Sequence, residues 1–273
     1  MDHSGSTMGI TAFSGIVQGP LEAFGLAIAR ALGLLLLLPI STRLGLTGTH
    51  RTAVAAAMGL PLVPMLASQL AAAPVGGGLL LLLAAKETFI GLLLGLLFSA
   101  PFWIAEAAGE LVDQQRGSRG NNSLPDPSGG EQVGPTGTLL VLTLLTVFFV
   151  LGGLRWLIDG LYASYAIWPA FDIAPRLAPD AGRQMLHVLD SILGAGFLLA
   201  LPLVGAMLLA ELALALVSRF VPSLNVFDLA MAVKGLVQVV GLPVYAVFLI
   251  GYLRSGLAPL TGIGDALRHL AGG

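Results

Sequence analysis

The sequence predicts an all-α, integral membrane-type protein, and three observations support that fold class. Of its 273 residues, 56% are hydrophobic and only 10% are charged, whereas soluble domains average about 25% charged residues. Apolar stretches of about 20 residues, long enough to cross a bilayer as helix, recur along the chain. No segment shows the alternation of apolar and polar residues that indicates a half-buried strand. We therefore expect long helices, some of them kinked or paired as αα-hairpins.

Six segments are long and apolar enough to be membrane-spanning helices. In chain order they are Leu21–Ile40, Thr52–Ala73, Leu79–Ala105, Thr136–Ile158, Ser191–Phe220 and Val226–Tyr252. Glu22 and Arg30 interrupt the first of them. The last two exceed the length that a bilayer core requires, so we expect them to tilt, kink or extend beyond it. The arginines of the connecting segments show no bias to one side, so the positive-inside rule assigns no orientation.

Prolines and glycines interrupt these apolar segments. Proline lacks a backbone donor and clashes with the preceding turn, so it predicts a kink or a break. The prolines in question are Pro61, Pro64, Pro101, Pro202 and Pro243. Carbonyl groups released by such breaks need protein or water partners inside a membrane, which predicts helices packed against other protein. Gly91 and Gly95 form a G-x-x-x-G step that permits close helix approach.

Composition argues against several classes of function. The net charge of −2 provides no basic patch for a nucleic acid. The chain has no cysteine, which excludes disulfides, thiolate metal sites and a cysteine nucleophile. Its four histidines are scattered without the spacing of metal ligands, and none of the common nucleotide-binding or hydrolase motifs occurs. We therefore expect no enzyme activity, no metal and no cofactor.

Two adjacent charges, Lys86 and Glu87, lie inside the third apolar segment. An isolated charge at the centre of a membrane helix costs at least about 2.5 kcal/mol on insertion scales. Neighbouring helix residues project about 100° apart, so the sequence predicts that these two do not pair well with each other. Each is expected to find a partner on a neighbouring helix or subunit.

A polar, glycine-rich island separates the third apolar segment from the fourth. Residues 106–134 contain seven charged side chains, namely Glu106, Glu110, Asp113, Arg116, Arg119, Asp126 and Glu131. The first three are spaced i, i+4 and i+7, which places them on one helical face. They form either an acidic stripe that leads into the island or a solvated helix end. Structureless loops of this length in compact proteins are usually functional or disordered, so the island is the first candidate for function.

A helical hairpin is predicted near the C-terminus, at about residues 187–255. The sequence RFVPSLNVFD contains the proline and asparagine typical of a turn between two helices. If that turn centres near Ser223, Arg219 and Asp228 lie at matching heights on the two helices, as do Glu211 and Lys234. Both opposite-charge pairs are therefore predicted to face each other across the hairpin.

Several motifs, taken in order, resemble one family. They are KETFIGLLLGLLF at 86–98, ELVDQQRG at 110–117, DPSGG at 126–130, GG at 152–153, SYAIWP at 164–169 and PSLNVFDLAMAVKG at 222–235. Each motif is weak alone, and their order and spacing are specific. The chain resembles the T subunit of the type III secretion export apparatus, the SctT/YscT/SpaR family, which is related to flagellar FliR. The resemblance covers roughly residues 20 to 255.

The resemblance implies a noncatalytic component of an export gate, forming a single domain over residues 1–273. Family members assemble with the R and S subunits in the bacterial inner membrane, contact the U and V subunits, and let unfolded substrates pass to the rod and needle proteins. It also implies that much of the apolar sequence packs against other subunits, with the remainder facing membrane lipid. Charged residues that take part in assembly or are buried are then expected at Lys86, Glu87, Glu106, Glu110, Asp113, Glu211, Arg219, Asp228 and Lys234.

The resemblance further implies that the polar loop, at about residues 114–134, lies in the pore and helps to close it. Its candidate residues are Gln114, Gln115, Arg116, Gly117, Arg119, Asn121, Asn122, Asp126, Pro127, Gly129 and Gly130. Glycine adopts backbone conformations closed to other residues, and a segment of low local stability suits a closure that must be displaced.

Two other functions remain open at the level of sequence. Broken helices with charges near their midpoints are typical of secondary transporters, although no convincing inverted repeat is present. A purely scaffolding membrane protein would share the assembly role and lack a passage.

Overall fold

Helices make up almost all of the described chain. The computed structural model describes residues 4–43, 45–46, 48–117, 134–221 and 226–271, and this part contains no strand. The helices are α1 (Ser4–Leu37), α2 (Pro39–Arg43), α3 (Thr49–Gly59), α4 (Val63–Ala72), α5 (Gly77–Arg116), α6 (Pro135–Val150), α7 (Gly153–Ile167), α8 (Ala181–Ser218), α9 (Val226–Thr261) and α10 (Ile263–Ala271). The predicted all-α class is confirmed.

Two compact units make up the chain. The first unit comprises Met1–Phe98, Arg155–Ala181 and Ile263–Gly273, and the second comprises Ser99–Leu154 and Gly182–Gly262. Helix α5 contributes to both, because the boundary falls between Phe98 and Ser99. The single domain over residues 1–273 stays a prediction.

Among the described residues, five helical stretches are long and apolar enough to cross a membrane, and one of them joins α3 and α4. They contain Gly19–Leu37, Thr49–Ala72, Gly77–Arg116, Ala181–Ser218 and Asp228–Ala258, and α6 with α7 form a sixth if that broken pair counts as one span. The break falls within the predicted segment Thr136–Ile158. Leu151 and Gly152 end α6 by donating their amides to the carbonyls of Val147 and Phe149, and Gly152 adopts a φ of 84°. Glycine is the usual residue for that left-handed conformation.

The prolines act in two ways. Pro61 and Pro64 break the second apolar segment, where a one-turn 3-10 helix, Leu60–Leu62, separates α3 from α4. Both prolines stand in the first turn of their helices, where the missing amide costs no helical hydrogen bond. Pro101 and Pro202 lie inside α5 and α8, which continue past them. The prediction of a break is therefore confirmed for the first pair. Pro101, Pro202 and Pro243 do not end their helices, and a kink at each of them stays a prediction.

Glycines bring α1 and α5 into direct backbone contact within the first unit. A Cβ atom built on Gly33 or on Gly91 would overlap the other helix, at the carbonyl oxygens of Thr88 and Arg30 respectively. At Gly95 it would lie 2.7 Å from the Leu34 carbonyl oxygen. The predicted close approach at the G-x-x-x-G step is confirmed, and the partner helix is α1.

The second unit has its own apolar core. Phe102 of α5 meets Phe148 of α6 edge to face, with ring centroids 5.5 Å apart. Gly109 touches the backbone at Gly137, so a Cβ there would overlap α6. Helix α8 also approaches α5, where a Cβ on Gly196 would lie 3.0 Å from that of Ala107. These contacts hold the C-terminal half of α5 beside the start of α6.

Candidate functional site

A fully buried arginine organises the polar interior of the first unit. Arg30 of α1 donates from Nε and Nη2 to the two carboxylate oxygens of Glu87, at 2.6 and 2.9 Å. Its Nη1 donates to Ser164 Oγ at 2.8 Å, and Nη2 also donates to the carbonyl of Trp168 at 2.8 Å. The Tyr165 ring lies 3.6 Å from the guanidinium carbon. This bidentate, stacked geometry is the one in which arginine binds most strongly.

Lys86 binds the chain that follows α7. Its ammonium donates to the carbonyl oxygens of Pro169, Ala170 and Asp172, at 2.9, 2.7 and 2.9 Å. It also lies 2.9 Å from Glu87 Oε1. The prediction that these neighbours do not pair with each other is wrong, because two long side chains can bend toward one point despite their 100° separation. Their expected partners on other segments of the chain are present.

We call Arg30, Lys86, Glu87, Ser164 and Tyr165 the Arg30 cluster. Sequence reasoning recognised two of its charges and treated Arg30 only as an interruption of an apolar segment. A lone arginine among apolar residues was itself a signal, since such a charge needs a partner. The SYAIWP motif at 164–169 carries the rest of the cluster.

Two carboxylates at the end of α5 hold the start of α6 in the second unit. Glu110 Oε1 accepts a hydrogen bond from the Gly134 amide at 2.5 Å. Asp113 accepts from the amide and the hydroxyl of Thr136, at 2.8 and 2.6 Å. Free amides at a helix N-terminus favour negative charge. Asp113 is buried and Glu110 is half-buried. The interpretation as a solvated helix end is therefore wrong, and these two carboxylates of the acidic stripe connect α5 to the start of α6.

Gln238 of α9 completes this polar group. Its Nε2 donates to Thr136 Oγ1 and lies 3.3 Å from Asp113 Oδ1. Its carbonyl oxygen is buried and has no hydrogen-bond partner within the part of the chain that is described. We call Glu110, Asp113, Gly134, Thr136 and Gln238 the Asp113 cluster. No periodic pattern indicates Gln238, because its partners lie more than a hundred residues away along the chain.

One of the two predicted charge pairs of the hairpin is present. Lys234 Nζ of α9 lies 3.3 Å from Glu211 Oε2 of α8. Gln115 Nε2 of α5 donates to the same oxygen at 3.4 Å. Facing of Arg219 and Asp228 stays a prediction, and the turn predicted near Ser223 lies outside the described residues.

The predicted pore loop divides between helix and residues that are not described. Gln114, Gln115 and Arg116 belong to the last turn of α5, so their prediction as loop is wrong. Gly117 ends the helix with a φ of 85° and donates its amide to the Gln114 carbonyl at 3.0 Å. The remaining candidates lie outside the described residues, namely Arg119, Asn121, Asn122, Asp126, Pro127, Gly129 and Gly130.

Helix α5 continues beyond the apolar sequence because tertiary contacts stabilise its last turns. Glu110, Asp113 and Gln115 all contact other helices of the second unit, and packing of this kind decides helix length more than composition does. Glu106, the first residue of the stripe, is half-buried on the same helix. The described residues on either side of the polar segment therefore connect α5, α6 and α9 by hydrogen bonds.

Known proteins resemble this chain over most of its length. The family described as "Bacterial export proteins, family 1" matches residues 21–258. The Yop proteins translocation protein T of Yersinia pestis is 36% identical over 89% of this chain and 92% of its own. The surface presentation of antigens protein SpaR of Salmonella typhimurium is 30% identical over 81% of each chain. The flagellar biosynthetic protein FliR of Bacillus subtilis is 29% identical over 56% of this chain and 60% of its own. With its membrane-length helices, the chain therefore belongs to family 1 of the bacterial export proteins, the family of the type III secretion export apparatus.

Proposed function

We propose that this chain is a noncatalytic subunit of a type III export gate in the bacterial inner membrane. It assembles with R and S subunits around a passage for unfolded proteins, and the polar segment after α5 helps to close that passage. The observation that carries the proposal is the Asp113 cluster. It fixes both ends of that segment, since Glu110 and Asp113 of α5 bind Gly134 and Thr136 at the start of α6.

A closing segment needs a base that keeps its place while the passage opens and closes. The end of α5 provides one, because it is bonded to α6 and through Gln238 to α9. The segment between them contributes polar and glycine residues in an otherwise apolar chain. Polar groups there can bond to one another or to water without a charged partner, which suits a closure that must come apart.

The apolar surface of the second unit supports the proposal that the chain has partner subunits. Helix α9 has 12% of its membrane-length window buried, against 44% for α1. Large apolar side chains therefore remain exposed along α8 and α9. Lipid or other apolar protein must cover them, as expected for a subunit that contacts R, S, U and V subunits. Of the charges named from the sequence, we propose that exposed ones such as Glu211 contact partner subunits, whereas Lys86, Glu87 and Asp113 are bonded within the chain.

Deleting Arg119–Gly130 tests the closing role. We expect the complex of the variant with R and S subunits to assemble in normal amounts and to conduct ions in its resting state. Conductance of the purified complex in a planar bilayer measures this. A matched control replaces the same residues by glycine and serine at unchanged length, which separates loss of side chains from loss of length. Unchanged conductance of an assembled deletion complex refutes the closing role.

Two rival functions give different outcomes. The charges inside α1 and α5 and the break between α6 and α7 have the form seen in secondary transporters. Against that function, the Arg30 guanidinium is already bonded to one carboxylate, one hydroxyl and one carbonyl. Proton- or sodium-linked uptake by the purified chain alone would favour the transporter. A scaffold without a passage would give an assembled complex that conducts under no condition.

A further inference from the structure

Glu211 is a half-exposed carboxylate within an apolar helix. Its side chain is 47% exposed, whereas that of Lys234, its ion-pair partner, is 11% exposed. Both contacts that it makes in the described structure, from Lys234 and Gln115, reach the single oxygen Oε2. Oε1 therefore keeps its capacity to accept hydrogen bonds, and an ionised carboxylate can accept about four.

The surroundings of Glu211 are apolar and exposed. Leu208, Leu209, Leu212 and Leu216 precede and follow it on α8 with large exposed fractions. Lipid chains would suit these leucines, but they offer nothing to a half-exposed carboxylate. A molecule that covers this surface must therefore be apolar, to contact the leucines, and must carry a hydrogen-bond donor or a cation opposite Glu211.

A groove leads along the second unit toward Glu211. Its volume is about 200 Å³. It is lined by Leu111, Gln114 and Gln115 of α5 and by Phe197, Leu201 and Val204 of α8. Gln115 belongs to both features, since it lines the groove and donates to Glu211. Val204 and Glu211 are seven residues apart on α8, which corresponds to two helical turns and roughly 10 Å.

We propose that this groove and Glu211 together bind an apolar helix of another export-apparatus subunit. The bound helix carries a bulky apolar side chain that fills the groove and, about two turns along, a lysine or arginine that donates to Glu211 Oε1. The charge of Glu211 favours a helix that carries a cation over lipid chains. The apolar side chains that line the groove favour such a helix over a soluble peptide. This inference rests on the proposed function, because it requires a partner subunit.

A charge swap separates this role from internal stabilisation. Glu211→Lys disrupts the internal pair and also reverses the exposed charge. The double variant Glu211→Lys/Lys234→Glu restores an internal pair, yet it still presents a cation to the partner helix. We expect the double variant to recover the thermal stability lost in Glu211→Lys, while co-purification of the partner subunit stays at least about tenfold below that of the unaltered chain, since like charges across an interface are strongly unfavourable. Recovery of both properties overturns the proposal.

A matched control comes from the same helix. Asp190 of α8 is exposed and lies 21 residues before Glu211, roughly 30 Å along the helix and beyond the other end of the groove. We therefore expect Asp190→Lys to co-purify the partner normally. If Asp190→Lys and Glu211→Lys reduce co-purification equally, the effect is one of net charge and the docking site is refuted.

Crosslinking identifies what covers the surface. A photoreactive amino acid at the exposed Leu212, in the assembled complex in its native membrane, should form an adduct with another subunit. The same probe at the exposed Leu186 near the start of α8 serves as the control site. Adducts at Leu212 to lipid alone, or to a second copy of this chain, overturn the assignment. If the unaltered chain co-purifies with no export subunit, the proposed function itself is refuted. If the unaltered chain and Glu211→Lys both co-purify with an export subunit in equal amounts, only the docking site is refuted.

Discussion

The polar groups of the two units differ in how completely their charged side chains are buried and bonded. In the Arg30 cluster one guanidinium makes four hydrogen bonds, and Lys86 adds three carbonyl contacts and an ion pair. In the second unit the Gln238 carbonyl has no partner within the described chain, and Glu211 is half exposed. The charges of the first arrangement are all bonded, although the Tyr165 hydroxyl has no partner within the described chain. In the second, the Glu211 carboxylate retains capacity for an additional contact.

This difference separates two consequences of a charge in an apolar chain. A charge that is buried and fully bonded stabilises the fold and leaves little for a partner to bind. A charge or amide with unused capacity, beside exposed apolar side chains, indicates where another molecule contacts the protein. The second unit is therefore where we expect variants to affect assembly and closure before stability, and the first unit is where we expect the reverse.

The largest effect should follow from breaking the Arg30–Glu87 pair. Glu87→Ala leaves a buried guanidinium without its carboxylate, which should lower the free energy of unfolding by about 3–5 kcal/mol. The double variant Arg30→Met/Glu87→Met should lose less, because no guanidinium is left unpaired and Lys86, although it loses Glu87, keeps its three carbonyl acceptors. Denaturant titration in detergent, followed by tryptophan fluorescence, measures both.

The exposed pair of Arg155 and Asp159 is the control for that experiment. Arg155→Ala should change the free energy of unfolding by less than about 1 kcal/mol. If Glu87→Ala lowers the free energy of unfolding no more than Arg155→Ala does, the prediction is contradicted, because the buried pair would then stabilise the fold no more than the exposed one.

A smaller loss should follow from separating α1 and α5. Gly91→Ala places a methyl group against the Arg30 carbonyl oxygen, and overpacking of this kind costs about 1–3 kcal/mol. Gly78→Ala, on the same helix with no atom within 4 Å of the new methyl, should be neutral or slightly stabilising. Thermal denaturation of both variants in detergent tests the contact, and equal melting temperatures would contradict it.

A loss of stability no larger than that of Gly91→Ala, but the largest effect on closure, should come from Asp113→Ala. The variant removes a buried carboxylate and leaves the amide and hydroxyl of Thr136 without that acceptor, which costs about 1–3 kcal/mol and frees the start of α6. We expect faster hydrogen exchange at the amides of Thr136 and Thr138 and a raised resting conductance of the assembled complex. Asp190→Asn should change neither. If Asp113→Ala lowers the free energy of unfolding as much as Glu87→Ala does, the expected difference between the two clusters is contradicted.

Periodic and local features could be predicted from the sequence. The close approach at Gly91 and Gly95, the all-α class and the Glu211–Lys234 pair all follow from spacing along one or two helices. Contacts such as Arg30 to Ser164 could not be predicted in this way, because 134 residues separate the partners and no period relates them. The helical state of residues 114–116 was missed because contacts of the end of α5 with α6, α8 and α9 override a polar composition.

The contacts of Lys86 also impose an order on biosynthesis. Arg30 and Glu87 are both present once α5 has been made, whereas the carbonyls that bind Lys86 are translated 83 to 86 residues later. At bacterial elongation rates of about 5–20 residues per second, that interval lasts roughly 4–17 s. We expect the nascent chain to pass through a stage in which Lys86 has Glu87 as its nearest partner and the chain beyond α7 is unattached. A ribosome stalled before residue 169 would hold the protein at that stage, accessible to an insertase or chaperone.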